Sequence, residues 1–307
     1  MISRIHASFV ISTLALVVAA CSATTEDGAG DVQDTSATNA LEESGGGRVH
    51  VMKMRQAGDH AVASVSSAKL NYFGGPVLSN VKVYAVYWGS NVRNQAHINA
   101  FYPAVLDSAY MDWLSEYNTP TQSIGRGTFG GAVVDTTAPT GTSVTDAQIQ
   151  TEIKKLIDAG KLPANDGNNL YMMYFPPGVK ISGPQGAGSS CVQFCAYHGT
   201  FTKNGQNGYY GVMPDLGGSC AGGCGNGSLE DNITEVSSHE LIEAVTDGAV
   251  GLATTVGPPL AWYDNSNGEI GDICNGTAAT VAGFTVQLEW SNKLKKCIAT
   301  NPAVPHP

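Results

Sequence analysis

The apolar and polar positions of this chain change period several times, and each change marks an element. Residues 81–88 (VKVYAVYW) alternate and are rich in β-branched and aromatic side chains, which predicts a strand. Residues 92–117 carry helical spacing, and Pro103 predicts a helix in two pieces. Residues 128–135 predict another strand. Thr145 and Gln148 have capping-box spacing, and Ile149, Ile153, Leu156 and Ile157 line one face of a helix that stops at Gly160. Residues 170–175 (LYMMYF) predict an apolar strand ended by Pro176 and Pro177, and residues 209–213 a short one. A long helix is predicted from Asp231 or Asn232 to Asp247, and residues 283–290 alternate again as a late strand. Strands and helices interleave, so the expected class is α+β: a single globular domain with a central sheet and one chemically distinctive helix.

That helix reads Ser238-His239-Glu240-Leu241-Ile242-Glu243-Ala244-Val245-Thr246-Asp247. Residues four apart on a 3.6-residue helix project about 40° apart, so His239 and Glu243 share a face and Glu240 flanks it. This is the spacing of the H-E-x-x-H zinc helix with glutamate at the second ligand position. Zinc accepts carboxylate oxygen as well as imidazole nitrogen. His239 and Glu243 are therefore candidate metal ligands and Glu240 the candidate general base. The same pentapeptide on a solvated helix simply faces water. Here Leu241, Ala244 and Val245 fall on the opposite side, so the back face is expected to pack while the polar face looks into a cleft.

A catalytic zinc needs about three protein ligands. Glu269 and Asp272, in the segment Gly268-Glu269-Ile270-Gly271-Asp272-Ile273-Cys274, are the candidates for the third, with Glu269 ahead and Asp264 and Asp247 behind. His198 is the other candidate ligand, or a donor to the transition state, and Tyr197 or His198 is assigned to an oxyanion. A calcium-binding or turn-capping role competes for the acidic loop. His50, His60 and His306 are set aside as lying near chain ends.

Composition places this helix in an exported protein. Arg4 precedes an apolar run that ends Val18-Ala19-Ala20-Cys21, the pattern of a secretory signal over residues 1–20. A cysteine directly after small residues resembles a bacterial lipobox, so Cys21 is expected to carry lipid, with outer-membrane or cell-surface placement and a periplasmic orientation as the alternative. Beyond that run no segment approaches the roughly 20 apolar residues of a membrane span. Residues 22–48 are acidic, rich in Ser, Thr and Gly, and too polar to bury a core. Residues 49–68 fit either a tether or a packed arm; the boundaries are set at 21–68 for the flexible tether and 69–301 for the domain. A formal net charge of −10 argues against nucleic acid as a partner.

Six cysteines remain after Cys21. An even number in an exported chain predicts disulfides, and local spacing suggests 191–195, 220–224 and 274–297. A structural zinc held by the two C-x3-C pairs is the rival reading.

Over residues 74–300 the chain resembles the Exordium-like family, also called phosphate-induced protein 1. The resemblance is carried by Gly75-Pro76 ahead of VKVYAVYWG, by Cys191-Val-Gln-Phe-Cys195-Ala-Tyr-His198-Gly199, by Tyr210-Gly-Val-Met before Cys220-x3-Cys224, and by Trp290 followed by Cys297. Ser238 to Asp247 and Glu269 to Cys274 are similar to the pattern of a bacterial branch with a zincin-like HExxE motif, except that Gly248 stands where proline is usual. The resemblance implies an exported domain with a metal site and leaves the substrate open. The expected function is a lipid-anchored zinc-dependent hydrolase, metallopeptidase-like, acting on a polypeptide or cell-envelope substrate with one Zn2+. The alternatives are a non-catalytic surface protein with a structural metal, and a carbohydrate-binding module using Trp88, Trp113 and Trp262.

Overall fold

The computed structural model describes residues 50–55, 67–139 and 141–304. The expected signal, Cys21 and most of the expected tether lie outside the described residues. In chain order the strands are β1 (Met52–Lys53), β2 (Asn71–Tyr72), β3 (Lys82–Trp88), β4 (Thr128–Asp135), β5 (Ser143–Thr145), β6 (Asn169–Tyr174), β7 (Lys180–Ser182), β8 (Phe194–Lys203), β9 (Gln206–Met213), β10 (Trp262–Tyr263), β11 (Ala278–Val281), β12 (Phe284–Gln287), β13 (Glu289–Ser291) and β14 (Lys296–Ile298). The helices are α1 (Gln95–Leu106), α2 (Ala109–Asp112), α3 (Asp146–Asp158) and α4 (Leu229–Asp247).

The class is α+β. A six-stranded mixed sheet runs β1-β8-β9-β6-β3-β4. The run β4-β3-β6-β9 is parallel, and β8 and β1 add antiparallel strands at one edge. Alternate side chains of the sheet enter two cores. Leu170, Met172 and Tyr174 of β6 pack with α1 and α4, whereas Tyr171 and Met173 pack with Ile149, Ile153 and Leu156 of α3. The sheet is thus covered on both faces, which explains why its strands read as apolar runs more than as clean alternations.

Most predicted elements occur, with instructive differences. The predicted strand at 128–135 matches β4, and the capping box of α3 forms with Thr145 accepting from Gln148 N. Pro103 lies within α1 and does not divide it; the division comes at Asp107 and Ser108, whose side chain accepts from Tyr110 N and starts α2. α4 begins earlier than predicted, because Ser228 and Asp231 form its capping box. The late strand is two strands, β12 and β13, interrupted at Leu288. The ten-residue β8 was not predicted: its first eight residues are all buried, so its pattern carries little polar alternation. Residues 50–55, within the stretch expected to be either tether or packed arm, pack on the domain: Met52 is buried and pairs with Ala196 of β8.

The disulfides are Cys191–Cys220, Cys195–Cys224 and Cys274–Cys297, with Cα atoms 4.4, 5.4 and 5.8 Å apart. This corrects the 191–195 and 220–224 pairings. The two C-x3-C segments lie side by side, so their equal spacing is matched first to first and second to second, and neither closes on itself. All six thiols are used in these bonds, which removes the zinc–thiolate reading. Three disulfides are compatible with an exported protein.

Candidate metal centre

α4 is not a surface helix with one wet face. Every residue from Asn232 to Asp247 is buried, so its polar side chains must find partners inside the protein. Sheet strands β8 and β9 cover one side, β12 covers another, and the segment from Glu269 to Cys274 closes over His239 and Glu243. The expected open cleft is therefore absent among the described residues: His239, Glu240 and Glu269 are fully buried, and Glu243 and His198 are 2% and 3% exposed.

Within this interior, three histidines and three carboxylates alternate around a ring. His198 Nε2 lies 3.4 Å from Glu269 Oε1, and His198 Nδ1 lies 3.5 Å from Glu243 Oε2. Glu243 Oε1 lies 3.2 Å from His239 Nε2. Glu269 Oε2 and Asp272 Oδ2 lie 3.6 and 3.9 Å from His50 Nδ1. His239, Glu243 and Asp272 close the ring, so that each carboxylate belongs to two trios of converging donors. Glu240 stands beside the ring, its Oε2 3.2 Å from His198 Nδ1.

These spacings decide between two accounts. Charge-assisted N–H···O⁻ bonds run about 2.7–2.9 Å. Donors gathered tetrahedrally at 2.0–2.1 Å from a zinc ion stand about 3.3 Å from one another. The observed 3.2–3.6 Å separations around His198, His239 and His50 match the second spacing. Moreover, His198 Nε2, His239 Nε2, His50 Nε2, Glu240 Oε1 and both oxygens of Glu269 are buried without a hydrogen-bond partner among the described residues. Such atoms are costly to bury unless something else satisfies them. The donor set of imidazole and carboxylate suits a divalent transition ion.

Local structure places each member. His198 is on β8 opposite Gly211 of β9 and turns toward α4. Gly271 approaches so closely that a Cβ there would stand 2.6 Å from His239 Nδ1 and 2.9 Å from Glu243 Oε1. This close approach lets the Asp272 backbone N–H donate to Glu243 Oε1 at 3.1 Å. The Cys274–Cys297 disulfide fixes the end of the same segment. Gln287 of β12 sets its Nε2 2.8 Å from His239 Nδ1 and 2.9 Å from Gly271 O, the position of the companion group that orients a ligating imidazole.

The electrostatics follow from burial. Burial works against protonation of His198, but the Glu269 carboxylate and its contacts with Glu240 and Glu243 outweigh it and hold the pKa well above the usual imidazole value. His239 is raised in the same way, chiefly by Glu243. Burial raises Glu240 and Glu269, whereas for Glu243 the attraction of His239 and His198 wins and its pKa is lowered. Without a metal, His198 and His239 thus favour their protonated forms, and an incoming cation must displace those protons.

The structure gathers His198, His239, Glu240, Glu243, Glu269 and Asp272 in one place. Tyr197 is not among them. Neighbours on a strand face opposite sides, so Tyr197 enters the α3 core and its hydroxyl donates to Asp146 Oδ1 at 2.9 Å. Asp264 caps its own turn, accepting from Ser266 N and Asn267 N, and Asp247 accepts from Ala261 N at 2.7 Å. His50, set aside in the sequence, belongs to the ring; it stands two residues before β1, and no local sequence signal marks it. The aromatic residues offered for sugar stacking are packed: Trp88 and Trp113 are buried, and Trp262 rests on Tyr72 and Tyr117.

A scan against protein-family models and searches of curated proteins and of solved structures returned no match.

Proposed function

We propose that this chain is an exported, lipid-anchored, zinc-dependent hydrolase of metallopeptidase-like chemistry. The observation that carries the reading is the set of buried, partnerless ring nitrogens and carboxylate oxygens of His198, His239 and Glu269, spaced at ligand-to-ligand distances around Glu243. The resemblance of Ser238 to Asp247 and Glu269 to Cys274 to a zincin-like pattern supports the same reading, and the three disulfides fit export.

A divalent ion held there supplies Lewis acidity and lowers the pKa of water. The chain supplies the rest. His198, Glu243 and Glu269, one of the converging trios, hold the ion, and His239 stands against the other oxygen of Glu243. Glu240 is the general base: its Oε2 is oriented by His198, and its Oε1 has no protein partner and is available to take a proton from the attacking water and return it to the leaving group. Substrate reaches these groups only when the arm that carries His50 moves aside, because the site is otherwise buried.

The burial also favours a second reading, in which the metal is structural and Glu240 merely completes the polar interior. Glu240→Gln separates the two. As a hydrolase the variant keeps its metal and loses at least about 100-fold in metal-dependent peptide hydrolysis. Native protein that is fully metal-loaded, yet shows no turnover of a peptide library above the variant, supports the structural reading.

A further inference from the structure

We propose that the centre takes two divalent ions, and that His50, Glu269 and Asp272 form the second site. The inference rests on the metal reading above and extends it to ligands contributed by an N-terminal arm.

Glu269 is the first observation. Its two oxygens face different histidines: Oε1 is 3.4 Å from His198 Nε2, and Oε2 is 3.6 Å from His50 Nδ1. Both oxygens are fully buried and neither has a hydrogen-bond partner among the described residues. With its oxygens turned to different histidines, Glu269 binds a single ion through one oxygen only and leaves the other buried and unsatisfied. A carboxylate between two ions satisfies both, and carboxylate-bridged ions commonly stand about 3.5–4 Å apart.

Charge gives the second argument. Glu240, Glu243, Glu269 and Asp272 lie within one cluster, and the basic side chains that meet them are His50, His198 and His239. An imidazole that ligates a metal is neutral, so it offsets none of this charge. A second divalent ion beside Glu269 and Asp272 offsets charge on the side of the cluster that a single ion at His198 leaves uncompensated. Uncompensated charge in an interior is strongly unfavourable.

The third observation is that His50 is built into place. Its ring stands edge-on to Tyr263 with centroids 5.0 Å apart, and Met52, two residues on, is paired with β8. The arm is tied to the segment that follows the acidic loop: Asn275 Nδ2 donates to Lys53 O at 3.1 Å, and Arg55 Nη1 donates to Gly276 O at 3.1 Å. Arm and loop thus present one imidazole and two carboxylates toward a common point, a donor set for a borderline divalent ion such as Zn2+ or Mn2+. The arm is then both cover and ligand, and its seating depends on the second ion.

The test is metal stoichiometry. The full exported chain is loaded with Zn2+, dialysed against metal-free buffer, and counted by mass spectrometry alongside His50→Ala and Asp272→Asn. About two ions per native chain, falling to about one in His50→Ala, is the expected result. Asp272→Asn approaches the same site from the loop and is expected to show the same drop, which guards against a folding defect in the arm variant; circular dichroism checks both. One ion in the native chain overturns the second site and leaves the metal reading standing. Two ions in both the native chain and His50→Ala also overturn it, because the second ion then lies elsewhere. No ion in the native chain overturns both readings.

Discussion

At the scale of single residues, the centre is a set of groups whose burial is tolerable only together. Asp247 shows the cost of burial most plainly. It is fully buried beside the ring, and that burial moves its pKa from 3.8 to about 7. Between those pH values the folded protein holds a proton that the unfolded chain has lost. Stability therefore falls as pH rises through this window, by up to about 4 kcal/mol from this group alone. Asp247→Asn keeps an oxygen for Ala261 N and cannot ionise. In metal-free protein its urea midpoint is expected to exceed the native one at pH 8 and to converge with it near pH 4; an offset that is the same at both pH values would contradict the assignment. The residues legible in the sequence were those with a local signal. His239, Glu240 and Glu243 share a helix face, and Glu269 and Asp272 sit in a glycine-rich turn. Which face of β8 looks at that helix has no such signal, so His198 and Tyr197 were equally eligible until the strand was placed. His50 was illegible as a ligand because its partners are more than 200 residues away.

At the scale of elements, the working unit is α4 with the Glu269–Cys274 segment laid across it. Sequence periodicity found α4 and four of the sheet strands, because capping residues and apolar spacing are local. It missed β8 for a physical reason: a strand buried on both faces loses the alternation that marks a strand. It expected a half-wet helix where the fold buries nearly all of α4, since polar residues at helical spacing read as a solvent face until other elements cover them. Gly271 is the contact on which the overlay depends. Gly271→Ala places a Cβ against His239 Nδ1 and Glu243 Oε1, so the segment must lift from the helix. Metal affinity is expected to fall at least about tenfold, measured by competition with a chromophoric chelator, with the disulfides intact. An unchanged affinity would show that the loop does not set the ligand geometry.

At the scale of the whole molecule, the centre lies where three parts of the chain meet: the sheet edge formed by β1 and β8, the central helix, and the disulfide-tied C-terminal segment. Metal binding therefore reports on the folded domain as a unit. A ligand at 100 times its Kd stabilises a fold by about 2.7 kcal/mol. For a domain of this size that corresponds to roughly 5–10 °C in Tm, so adding a strong chelator is expected to lower the calorimetric midpoint by that amount. Because the neighbouring carboxylates make His198 and His239 hold their protons more tightly than a free imidazole, affinity is also expected to rise with pH as those protons become easier to displace. A midpoint indifferent to chelator across pH 6–8 would mean that the ring is held by protons alone.

The measurement that bears most directly on the central claim is an anomalous difference map from crystals of the protein grown with zinc and collected at the zinc edge. The account predicts strong density enclosed by His198, Glu243 and Glu269, at about 2.0–2.2 Å from their donor atoms. Ordered side chains with no anomalous peak between them, and the ring closed instead by direct hydrogen bonds of about 2.8 Å, would contradict it.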